Sequence, residues 1–72
     1  MKTKTITASP PSKEEIKMVE LLADGKSGAE ISEEMGLSIN KVSFDLTVLR
    51  SKYDCGNSTE LVAYFLRNKL ID

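Results

Sequence analysis

Cys55 is the chain's single cysteine, and the chain has no histidine. A thiol nucleophile needs a base beside the sulfur, and a zinc centre needs several Cys or His ligands, so both chemistries are excluded. The four glycines stand singly, at Gly25, Gly28, Gly36 and Gly56, which leaves no Gly-rich loop to cradle a phosphate. No enzymatic role and no cofactor are expected, and Cys55 reads as buried packing. What remains is recognition by charge and hydrogen bonding. From Ser38 to Tyr53 the chain carries Lys41, Arg50 and Lys52 against Asp45 alone, a surplus of two positive charges. From Gly25 to Leu37 it carries Lys26 against Glu30, Glu33 and Glu34, and the net charge of the whole is −1. A local concentration of Lys and Arg is what the neutralisation of phosphates requires.

These residues must be held by helices, because the apolar positions recur at helical spacing and no segment alternates as a strand does. Seventy-two residues make one small domain, and the mixed charges with ordinary apolar content exclude a wholly disordered chain. No apolar run approaches a membrane span and no signal peptide opens the chain, so the expected address is the cytoplasm. Residues 1–11, Thr-rich with Lys2 and Lys4, read as a flexible tail; residues 12–72 form the domain. Ser12 and Glu15 have capping-box spacing, which recurs at Ser27 with Glu30 and at Asn57 with Glu60. The first box precedes Met18, Val19 and Leu22 with Ala23 beside them, closed by Gly25. The second precedes Ile31 and Met35, stopped by Gly36, and the third precedes Leu61, Val62, Phe65 and Leu66. Between them Ser38 is an N-cap candidate for a helix whose seam is Val42, Leu46, Leu49 and Tyr53. The second and third helices are joined by Gly36-Leu37-Ser38, a turn short enough for a helix-turn-helix, with Leu37 plugging the angle.

From Ser12 to Ile71, about five-sixths of the chain, this order resembles the LuxR/GerE-type helix-turn-helix family without a gap. The resemblance is carried by Ser12 with Glu15, "ELLADGKS", "EISEEMGLS", "KVSF" and "LRSKYDCGNSTELVAYFLRNKLI". It implies an all-α, four-helix DNA-binding domain, with the third helix in the major groove and the fourth at a homodimer interface. Departures fall at Gly28 and Ala29, where the family usually has a polar residue and a Lys. They fall also at Lys41, Ser43 and Asp45, where it favours Thr, Lys and His, and at Ser58, where Arg is common.

The outward side of the third helix would carry Asn40, Lys41, Ser43, Phe44, Thr47, Val48, Arg50 and Ser51. Against DNA, Lys41 and Arg50 would anchor phosphates or meet a guanine edge, Ser43 and Thr47 would donate, and Phe44 could press on a thymine methyl. Lys26 and Ser27 complete the candidate DNA-binding set. The alternative is a solvated helix face with incidental charges. Asp45 would repel phosphates, accept from a cytosine amino group, or pair with Lys41 four residues earlier. Phe44 and Val48 form an apolar i, i+4 patch that is either incidental or a protein contact. The fourth helix is apolar nearly all round, and Ala63, Tyr64 and Arg67 are its candidate dimer face.

Two functions follow as expectations. The first is a sequence-specific, DNA-binding bacterial transcription regulator, a homodimer on two half-sites about one helical turn, roughly 34–36 Å, apart. The chain has its own Met1 and no sensing domain fits ahead of Ser12, which favours a stand-alone regulator over an excised effector domain. The second is a protein-interaction module that keeps the fold, has lost productive DNA binding, and pairs with a related regulator to modulate it.

Overall fold

The computed structural model describes residues 10–72. Lys2, Lys4 and most of the expected tail, residues 1–11, therefore lie outside the described residues; Pro10 and Pro11 precede the first helix. Four helices follow, α1 (Lys13–Ala23), α2 (Gly28–Met35), α3 (Ile39–Lys52) and α4 (Ser58–Arg67), with no strand among the described residues.

Local chemistry sets where each helix begins. Ser12 Oγ accepts from the Glu15 backbone N–H at 3.1 Å while the Glu15 carboxylate accepts from the Ser12 N–H at 2.9 Å. The same reciprocal pair closes between Ser27 and Glu30, at 3.2 and 2.8 Å. Ser38 caps α3 by accepting from the Lys41 N–H at 3.0 Å. The third expected box differs. Asn57 accepts from the Glu60 N–H at 2.9 Å, but the Glu60 carboxylate takes the N–H of Gly56 instead of that of Asn57. Asn57 is nearly fully extended (φ −158°), whereas Ser12 and Ser27 sit at φ −74° and −78°, so its N–H is turned out of the carboxylate's reach. A Cβ on Gly56 would lie 3.3 Å from that carboxylate, which is why the bare backbone suits the position.

The core is built from one side of each helix. Met18, Val19 and Leu21 of α1 meet Ile31 of α2, Val42, Leu46 and Leu49 of α3 with Tyr53 beyond it, and Leu61 and Phe65 of α4. The expected α3 seam is buried in full. On α1 Leu21 is buried in place of the expected Leu22; Leu22 is half-buried and Ala23 exposed because both line a groove between α1 and α4 that is open to solvent. Ile71 also enters the core, carried there by a chain reversal after α4 in which Lys69 adopts φ 58° and the Leu70 N–H bonds the Phe65 carbonyl. Cys55 is half-buried, its Sγ 3.6 Å from the Tyr53 carbonyl. Tyr53 stacks on Tyr64 with ring centroids 4.9 Å apart and meets Phe65 edge-on at 5.6 Å.

The turn between α2 and α3 positions everything that follows. Gly36 ends α2 at φ 69°, the left-handed conformation a glycine enters without strain. The Leu37 N–H then bonds the Ser32 carbonyl at 2.9 Å, and the Leu37 side chain packs against the core in the angle between the helices. α2 and α3 pack on one another, and α1 closes the bundle against α2 and α4.

Candidate nucleic-acid interface

With Val42, Leu46, Leu49 and Tyr53 sealed inside, α3 turns its other side to solvent. Asn40, Ser43, Phe44, Thr47, Val48 and Ser51 are all exposed there, and Phe44 and Val48 retain 67% and 42% of their surface. Ile39 at the first turn is 56% exposed. Seven of the nine candidate DNA-binding residues thus belong to one helix, and five of them, Asn40, Ser43, Phe44, Thr47 and Ser51, share its open side.

The cations are placed less simply. Lys41 Nζ lies 2.9 Å from Asp45 Oδ2, an i, i+4 pair along one flank of the helix. That hydrogen bond, reinforced by the carboxylate's charge, raises the Lys41 pKa above its ordinary 10.5. Of the three roles open to Asp45, pairing with Lys41 is the one present in the free chain. Arg50 is half-buried on the opposite flank and donates to Thr47 Oγ1 at 3.3 Å, while Thr47 donates in turn to the Ser43 carbonyl at 2.9 Å. Lys52 faces away from this surface: it reaches Glu15 of α1 at 3.8 Å and lies 5.3 Å from the Tyr53 ring.

At the start of α2, Lys26 is half-buried and Ser27 exposed, with the Ser27 oxygen engaged in its cap. Gly28 and Ala29 add no side-chain charge. Gly28 lines a groove against α3 whose far wall is Ile39, Ser43, Thr47 and Arg50, so the α2 start and the open side of α3 form one continuous surface. The Glu30 carboxyl is held below its ordinary 4.5, chiefly by the backbone hydrogen bond at Ser27.

A second surface lies across the molecule. Leu22 and Ala23 of α1 and Ser58, Thr59, Val62, Ala63 and Leu66 of α4 line a shallow, mainly apolar groove. Of the candidate dimer residues, Ala63 lines this groove, Arg67 is exposed at the last turn, and Tyr64 turns inward onto Tyr53. Val62 and the 45%-exposed Leu66 stand outside the dimer face expected from sequence, although their i, i+4 spacing on a helix apolar nearly all round is the signal that points to them. No helix among the described residues is long and apolar enough to cross a membrane.

Comparison with known proteins agrees with this arrangement. Residues 10–65 match the family described as bacterial regulatory proteins, luxR family. The chain is 35% identical over 60 residues, 83% of its length, to the transcriptional regulatory protein LiaR of Bacillus subtilis (strain 168). It is 34% identical over 61 residues, 85% of its length, to the oxygen regulatory protein NreC of Staphylococcus haemolyticus (strain JCSC1435). It spans only 28% of the length of either relative. No solved structure matches it. With four helices in this order, a three-residue turn before α3 and a family match over most of its length, the chain belongs to the luxR family of bacterial regulatory proteins.

Proposed function

We propose that this chain is a sequence-specific DNA-binding transcription regulator that lays α3 in the major groove of duplex DNA and acts in the bacterial cytoplasm. The observation that carries the reading is the division of α3: one side is sealed in the core and the other is open from Asn40 to Ser51. A helix presented in this way by a short turn is the arrangement that enters a major groove, with the preceding helix near the backbone. Lys26, Ser27 and Arg50 would supply phosphate contacts on either side of it. The chain pairs as a homodimer through α4, using the groove that Ala63, Val62 and Leu66 share with Leu22. An apolar groove of this kind, on a domain this small, is stabilised by a second copy.

Fluorescence-anisotropy titration with a random-sequence duplex, at low and then physiological salt, tests this. Micromolar or tighter binding that weakens steeply with salt is the expected result. A folded helical chain that binds no duplex at low salt sinks it.

The Lys41–Asp45 pair and the exposed Phe44 and Val48 favour a second reading: a module deficient in DNA binding that pairs with a related regulator. It requires that the chain form a mixed dimer with such a regulator and lower its affinity for DNA.

A further inference from the structure

The open side of α3 has a chemistry that its charge count conceals. Both cations nearest to it stand on the flanks and are held by the helix itself, Lys41 by Asp45 and Arg50 by Thr47. The outermost residues, Asn40, Phe44, Thr47, Val48 and Ser51, carry no charge. The Thr47 hydroxyl donates to the Ser43 carbonyl and accepts from Arg50, so it has no proton left to donate outward and presents its methyl beside one acceptor lone pair. Phe44, at 67%, is the most exposed of the large apolar side chains described, and Val48 follows one turn later. Covering such surface is favourable, and the apolar group that unmodified DNA displays in the major groove is the 5-methyl of thymine.

We infer that α3 reads thymine methyl groups, with Phe44 and Val48 as the specificity-determining residues. The inference rests on the DNA-binding reading above and gives it a target chemistry. Residues four apart on a helix are separated by about 6 Å along its axis, close to two base steps of about 3.4 Å. The preferred half-site therefore carries thymines about two steps apart.

Site selection from a random duplex library, followed by replacement of thymine with uracil, tests this. Uracil lacks only the methyl and keeps the pairing face. Each uracil at a contacted position is expected to weaken binding about fourfold, the value of one buried methyl, and about fifteenfold when both half-sites are substituted. Phe44→Ala, at a position the core does not use, is expected to lose discrimination between thymine and uracil at one position, and Val48→Ala at the other. A selected site bound equally well with uracil, or one without thymine in its half-sites, overturns the inference and leaves DNA binding standing. A folded chain that binds no duplex at low salt overturns both.

Discussion

Replacing Asp45 with Asn changes one charge at a position where folding depends on it little. The pair it makes with Lys41 lies on the helix surface, with 50% of the Lys41 and 20% of the Asp45 side chain in solvent, and surface pairs of this kind contribute little to stability. Asp45→Asn is therefore expected to unfold close to the parent. Its effect on DNA binding is expected to be large, because it removes an anion from the α3 flank and releases Lys41. If each protomer then neutralises one more phosphate, a dimer neutralises two, which steepens the slope of log affinity against log salt by about 1.8. Between about 200 and about 50 mM salt the variant's advantage over the parent then grows about twelvefold. Anisotropy titrations of both proteins against one duplex over a salt series measure the two slopes directly. Equal slopes would refute the reasoning, since Lys41 would then not reach a phosphate even when released. A variant that binds more weakly, with an altered preference at one base pair, would refute it differently: Asp45 would itself be accepting from a cytosine amino group.

Leu66→Lys places a charge in the apolar groove between α1 and α4 at an exposed position; sedimentation should show loss of self-association, and an unchanged dimer would put the interface elsewhere. The Tyr53 hydroxyl is buried without a hydrogen-bond partner among the described residues, so Tyr53→Phe should leave the urea midpoint unchanged or raise stability by up to about 1 kcal/mol. A clear loss in that variant would mean the hydroxyl has a partner in solution. The folded-state pKa of Glu30 lies below its ordinary 4.5, so its stabilising effect is present above that value and is lost as pH falls through the folded pKa. Thermal melts from pH 6 to pH 3 should therefore fall less steeply for Glu30→Gln than for the parent, and parallel curves would contradict this.

Interactions between near neighbours in sequence are the ones legible without a structure. Ser12, Ser27 and Ser38 mark helix starts because a cap involves a side chain and an N–H three residues away. The α3 seam is legible because a single period of 3.6 runs unbroken from Val42 to Tyr53. Features that depend on how helices cross are not legible in this way. Leu21 and Leu22 are adjacent and equally apolar, and how α1 packs against its neighbours decides which is buried. Tyr64 reads as outward until Tyr53 is placed opposite it, and Ile71 has no periodic signal because a chain reversal brings it in. At the candidate interface, the residue types on α3 are legible as a set. Their order from flank to crest, with the charges aside and Phe44 outermost, comes from the packing of α3 on its neighbours.

The apolar groove has a consequence for any pairing made through it. Its two walls come from α1 and α4, the first and last helices, so it exists only once the ends of the domain have come together. An unfolded or half-folded chain has no such groove to offer. Pairing through it would therefore select folded molecules and withdraw them from the unfolding equilibrium, so that the melting temperature rises with protein concentration. For so small a domain, abundance would then control both how much of the protein is folded and how much is assembled.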